Sequence, residues 1–337
     1  MYWQKKIVKN IWIMILSVAM LISTGFVSAQ TNYPLSMMTI INPMSAGGMT
    51  EVRMRTIGQF LQEEFSNLKV IVDSKPGAGS AVGISYTLRQ ATDGSFLFGY
   101  TQPHASIAIA RGAPFKIGDI MPLVVIDSED MALFVHKDSP YKTFSDLYKF
   151  VKANPEKLSV SYQASGADDL LAHYADSTLG LKFRLIPYDG GAPARQALAG
   201  KHVEVLISPI YSAWREYPND FRVLTIFSEE RYTQKDFVDV PTIKEALLSV
   251  DPNYKIPSDI TQYNNFNFVG VSKEFATKHP DRFSLLVKAI EKISKSDNYI
   301  KQAALRNFYP KYQDPEKGLE ITLQWDKIIQ DNITTFK

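Results

Sequence analysis

The sequence predicts an α/β protein of two lobes, with two mainly parallel sheets joined by a hinge of two chain crossings. Three observations predict it. Short apolar runs alternate with stretches of helical period, the pattern of βαβ units and a parallel sheet. That rhythm runs twice, with a strand-rich stretch between the two passages. The 337 residues, 45% of them hydrophobic and 21% charged, also suffice for two domains of roughly 100–200 residues each, with real cores.

In the first passage, Met37 to Ile41 is expected as a buried strand, Asn42 to Met49 as a loop and Thr50 to Phe65 as a helix. Val70 to Asp73 follows as a strand, then a Gly/Pro loop, a helix through Gln90 and a strand from Phe96 to Tyr100. In the second, strands are expected at Leu158 to Tyr162, Phe183 to Pro187, Val203 to Ser208 and Arg222 to Phe227. Helices at Asp168 to Thr178 and Ala192 to Leu198 separate them. Between the passages, Leu123 to His136 reads as two strands joined by an acidic break. Phe266 to Val271 is a returning strand, followed by helices from Pro280 to Ile293 and Pro315 to Ile329. A chain that leaves one lobe, builds another and returns makes a hinge. The expected division is 30–127 plus 265–337 for lobe 1 and 128–264 for lobe 2.

The N-terminus carries Lys5, Lys6 and Lys9, an apolar run from Ile11 to Ile22, and the small residues Ser28 and Ala29. This is the layout of a secretory signal peptide over residues 1–29, cleaved near Ala29, with the mature chain in the periplasm. The apolar run is short beside the roughly 20 residues of a spanning helix. With no cysteine, disulfides, thiolate metal sites and a cysteine-borne lipid are excluded. A net charge of +2 lacks the basic face that nucleic acid requires.

Ligands of open α/β sheets bind beyond the carboxyl ends of strands, beside helix N-termini. Four groups of loops qualify. The first is Asn42 to Thr50, where Gly47 and Gly48 permit close backbone approach. The second, Ser74 to Gly83, resembles a dinucleotide fingerprint but spaces its glycines G-x-G-x-x-x-G, and its next acid, Asp93, comes too early for a ribose contact. Its glycines read as a tight turn and close packing. The third is Tyr100 to His104, with Thr101 and Gln102 able to hydrogen-bond a carboxylate. The fourth pairs Gln163 to Asp169 with Pro187 to Pro193. Neutral donors from both lobes would hold a small acid without a counter-ion.

These residues resemble the substrate-binding components of tripartite tricarboxylate transporters, the Bug family of periplasmic solute receptors. The matching pieces run in order along the chain: Pro43-Met44-Ser45-Ala46-Gly47-Gly48, Val72 to Gly79, Asp93-Gly94, Tyr141 to Leu147, Ala153-Asn154-Pro155, Asp168 to Ala172, Pro187 to Gly191 and Val240 to Glu245. The resemblance implies a Venus flytrap, type II-like periplasmic-binding-protein fold closing on a small carboxylate, a di- or tricarboxylate or an aromatic acid. It places Ser45, Ala46 and Gly47 at one ligand end and Thr101 and Gln102 on a carboxylate. From the second lobe it brings Ser165, Gly166 and Asp168, then Tyr188, Asp189 and Gly190, and the strand end at Ser208. It implies a monomer with no cofactor, working with a membrane permease or with a sensor kinase's periplasmic domain.

The chain departs from the family where Met49-Thr50-Glu51 replaces the frequent Gly-Thr-Asp. Tyr100 stands where a smaller residue is common; it either stacks an aromatic acid or packs in the core. Arg195 pairs either with a second carboxylate or with a nearby acid. An exported hydrolase is the competing reading. It lacks a cysteine nucleophile, a G-x-S-x-G elbow and any close metal spacing among its five histidines. His104 alone sits in a cleft loop, and Asp168 with Asp169 reads as a dipole-complementing helix start.

Overall fold

The alternation of apolar runs and helical stretches becomes two five-stranded sheets with helices between their strands. The computed structural model describes Tyr33, residues 36–90 and residues 92–331; both sheets belong to the compact unit Pro34–Lys337. The expected signal peptide lies outside the described residues. The first sheet begins β1 (Met37–Asn42), α1 (Met49–Glu64), β2 (Lys69–Ser74), α2 (Ala81–Leu88), β3 (Phe96–Gln102), α3 (His104–Ala110) and β4 (Ile120–Glu129). The second is built from β5 (Met131–His136), α4 (Phe144–Ala153), β6 (Ser159–Gln163), α5 (Ala167–Ser177), β7 (Arg184–Tyr188), α6 (Gly191–Ala199), β8 (Val205–Pro209), α7 (Ile210–Glu216), β9 (Phe221–Ile226) and α8 (Ile243–Val250). The chain then returns through β10 (Asn265–Ser272), α9 (Lys273–Lys278), α10 (Pro280–Ser294), α11 (Asp297–Leu305) and α12 (Pro315–Asp331).

The strand orders are β2-β1-β3-β10-β4 and β7-β6-β8-β5-β9. In each sheet four strands share one direction and one runs against them: β10 is antiparallel to β3 and β4, and β5 to β8 and β9. Both reversed strands follow a crossing, which delivers the chain to its new sheet from the opposite end. Capping boxes start the amphipathic helices α4 (Thr143 with Asp146) and α8 (Thr242 with Glu245). Helices α3 and α7, seven residues each, escape a periodicity reading because two turns barely show an apolar stripe.

The acidic break is narrower than expected. Asp127 and Glu129 lie inside β4 and are buried, and only Asp130 separates the two strands. Arg53 of α1 makes this possible. Its Nε donates to Asp127 Oδ2 at 2.7 Å and its Nη2 to Glu129. Burial pulls the guanidinium down, but the two carboxylates outweigh it and hold Arg53 above the usual arginine range. Glu129 also accepts from the backbone N–H of Ser212 in α7 (3.2 Å) and from its hydroxyl (3.1 Å). One buried network thus ties the first sheet, the crossing and the second sheet together.

The cores of the two sheets also meet. Tyr263 packs against both, and Leu170 of α5 reaches the core beneath the first sheet.

Candidate functional site

The loops after β2 and β3 face the loop after β6. A Cβ on Gly79 would lie 3.3 Å from the Cβ of Ser165. The imidazole Nε2 of His104 lies 3.0 Å from the side-chain Nε2 of Gln163. Arg111, just beyond α3, reaches Ser165 Oγ and lies 3.5 Å from Asp169. The carboxyl ends of the parallel strands of the two sheets therefore face one cleft, as the helix-start loops suggested.

In the first loop, buried Asn42 donates to Met44 O (2.8 Å) and to Ser74 Oγ (3.0 Å), pinning the backbone. Ser45, Ala46 and Gly47 are exposed. The Gly47 N–H donates to Glu51 Oε2 at 2.6 Å, so the chain's own carboxylate already takes one donor expected for a ligand. In the second loop, a Cβ on Gly83 would fall 2.7 Å from the Cα of Pro43. That glycine is there so that α2 can lie against the first loop, in keeping with close packing and not with a pyrophosphate cradle.

The end of β3 divides three neighbours among three fates. Tyr100 takes the core alternative and not the ligand-stacking one: its ring is fully buried, stacked on Phe268 with centroids 4.4 Å apart, and its hydroxyl lies 3.1 Å from Thr322 Oγ1. It is a core residue. Thr101 donates to Asn267 Oδ1 (3.3 Å), and Asn267 in turn donates to Asp127 (2.6 Å); its proton serves the hinge network. Gln102 is fully buried, and its Nε2 has no partner among the described residues.

On the second lobe, Asp168 Oδ2 accepts the Gln163 N–H (3.0 Å) and Asp169 Oδ2 the Ser165 N–H (2.8 Å). These bonds hold Ser165 at φ 71°, the left-handed region that a serine enters only with local support. Asp168 Oδ1, His104 Nδ1 and Ser208 Oγ are buried without a partner among the described residues. The parallel register Val160↔Val205 and Ser161↔Leu206 carries Ser208 level with Gln163. Gln102 and Ser208 at strand ends, and His104 and Asp168 at helix starts, thus each carry an unanswered buried polar atom. Buried polar groups are normally paired, and a polar guest would answer these.

Other expected residues lie further out. The Tyr188 carbonyl accepts from Ala164 and Gly190, both at 2.9 Å, and Gly190 precedes α6. Asp189 is exposed and, with Ser165, Gly79, Val82, Ser85 and Arg111, lines an adjoining cavity of about 510 Å³. Arg195 pairs bidentately with Glu216, at 2.9 and 2.6 Å, and so takes the nearby-acid alternative. Sequence reasoning missed Arg53 and Arg111. Nothing local marks either one, because their partners lie 54 or more positions away.

Burial pushes His104 down to about 4 and Asp168 up to about 7. Between pH 4 and 6.5 the unfolded chain protonates His104 while the folded chain does not, so this group makes stability rise with pH. Asp168 is the reverse: its folded form holds a proton that the unfolded form has lost, so it makes stability fall as pH rises. The two slopes oppose each other. The Asp168→Asn variant should therefore lose stability more steeply than wild type on acidification from pH 6.5 to 4.5, as read by urea denaturation at both values. Parallel slopes would count against these assignments.

The model of a family described as tripartite tricarboxylate transporter family receptor matches residues 54–261. Two curated proteins of Bordetella pertussis are each 28% identical to this chain. One is a UPF0065 protein, matched over 69% of this chain and 72% of its own length; the other is BugT, over 65% and 68%. Among solved structures, the R. palustris protein Rpa4515 with adipate superposes with a TM-score of 0.75 at 20% identity, over 90% of this chain and 98% of its own. MatC from Rhodopseudomonas palustris with bound malate gives 0.66 at 19%, over the same 90% and 98%.

Proposed function

The chain belongs to the tripartite tricarboxylate transporter receptor family, and from that premise we propose that it captures a small carboxylate between its lobes for a permease of the tripartite type. Receptors of this family bind and release their solutes and are not enzymes, so the hydrolase reading falls away. The observation that carries the ligand proposal is the set of unanswered buried polar atoms on Gln102, His104, Asp168 and Ser208, at strand ends and helix starts. Donors at strand ends and helix starts suit a carboxylate. The adipate and malate of the two structural neighbours support the same class.

The proposed site is Gln102 and His104 from one lobe with Ser165, Gly166, Asp168 and Ser208 from the other, Thr101 being given over to the hinge. Ser45 to Gly47 and Tyr188 to Gly190 form its rim. The lobes divide close to the expected 30–127 with 265–337 and 128–264, the first crossing falling at Asp130 because β4 runs to Glu129. The mature receptor works in the periplasm after cleavage near Ala29.

A thermal-shift screen of di- and tricarboxylates, aromatic acids and amino acids tests this. A ligand at 100 times its Kd is expected to add about 2.7 kcal/mol to the unfolding free energy. A screen in which no carboxylate raises the melting temperature would overturn the proposal. Binding of the liganded receptor to a purified sensor domain, and not to the permease, would reassign its output.

A further inference from the structure

On the receptor reading, the geometry points to a narrower ligand class: we propose that Asp168 selects carboxylates that also carry a hydrogen-bond donor, a hydroxyl or an ammonium group, and accepts that donor through Oδ1.

Asp168 is 2% exposed. Its Oδ2 is occupied by the Gln163 N–H, while Oδ1 has no partner among the described residues. The direction of Oδ1 follows from Gly166. A Cβ on that glycine would collide with Asp168 Oδ1 and stand 2.8 Å from His104 Nε2 of the other lobe. Oδ1 therefore faces the seam between the lobes, across a space that only a glycine leaves open.

The surrounding groups are committed elsewhere. Arg195, the cation whose charge acts on Asp168, is held bidentately by Glu216. Asp169 receives the Ser165 N–H and lies 3.5 Å from Arg111 and 3.4 Å from His173. His104 is kept neutral by burial and turns Nε2 toward Gln163. Above about pH 7 Asp168 is ionised, and a carboxylate only accepts hydrogen bonds; a buried acceptor left unanswered is costly.

Across the seam the chemistry is opposite. Gln102 offers an unpartnered Nε2, a donor. A guest that satisfies both sides needs a carboxylate for the donors and an O–H or N–H for Asp168. A plain dicarboxylate would instead bring a second negative charge toward Asp168, and such repulsion is how sites reject near-relatives.

The test is calorimetric titration of the whole chain at pH 8, where Asp168 is ionised, with matched trios: succinate, malate and aspartate; glutarate, 2-hydroxyglutarate and glutamate; propionate, lactate and alanine. In every trio that binds, a substituted member should bind about ten-fold or more tighter than its unsubstituted parent, the factor expected of one hydrogen bond to a charged group. Asp168→Ser, which withdraws the oxygen, should bring the members of a trio to within about three-fold of each other. Asp168→Asn keeps the shape, but its one oxygen stays with the Gln163 N–H and its NH2, a donor, stands where Oδ1 was; it should abolish a preference for ammonium and keep part of one for hydroxyl, which can turn round and accept. A merely structural Asp168 would weaken all three members alike, leaving their ratio intact, and that result overturns the proposal. So does a parent acid that binds wild type as tightly as its substituted partners. If the serine variant fails to fold by circular dichroism, the wild-type ratios and the asparagine variant decide. Binding of carboxylates without donor preference sinks this inference alone; no carboxylate binding at all sinks the receptor reading with it.

Discussion

Arg53→Met is expected to lower the unfolding free energy by about 3–5 kcal/mol, the cost of breaking a buried ion pair by removing one partner. Arg53, Asp127 and Glu129 are each at most 2% exposed, so losing the guanidinium strands two carboxylates in the interior. Asn267 and Ser212 still donate to them, but neutral donors do not replace a positive charge. The combined variant Arg53→Met, Asp127→Asn, Glu129→Gln should recover part of the loss, because the penalty lies in unpaired charge and not in absent contacts. Urea denaturation of wild type and both variants measures this. A single-variant loss below about 1 kcal/mol would place these carboxylates in contact with water. The network spans α1, β4, β10 and α7, so the single variant should also loosen the junction between the lobes. Faster proteolysis near Asp130 would report this.

Tyr100→Ala should cost about 3–5 kcal/mol, the range for deleting a large buried aromatic. Tyr100→Phe should cost only about 1 kcal/mol, the net worth of the hydrogen bond to Thr322. The ring lies against Gly270, where a Cβ would come within 2.8 Å of its Cε1, so β10 leaves room for it. Because the side chain faces the core, carboxylate affinity in the phenylalanine variant should match wild type. A ten-fold change in Kd with stability unaltered would return Tyr100 to the site.

Tyr100 also shows where sequence reading stops. Phe96-Leu97-Phe98-Gly99-Tyr100 is apolar on both faces, as strands of a doubly covered sheet are. Alternation then cannot say which side chain faces the core and which the cleft. The acidic stretch at Asp127 to Asp130 misled in the opposite way. Charge in sequence signals exposure on average, yet two of these acids are buried because Arg53 comes from 74 positions away. The loop from Gln163 to Asp169 was more legible: its acids do stand at a helix start. That one of them turns an oxygen toward the other lobe is invisible without His104 beside Gly166.

By itself the sequence determined the order of the strands and of about half the helices, the two-lobed plan with its crossings, and the loops at strand ends where a ligand would meet backbone donors. These follow from periodicity and turn chemistry, which act over a few residues. Only the tertiary structure decided that Tyr100 is core, that Thr101 serves the hinge, that Arg195 is already paired and that Asp168 has an unanswered oxygen. Each of those outcomes depends on which groups meet across long stretches of chain, and packing sets those meetings.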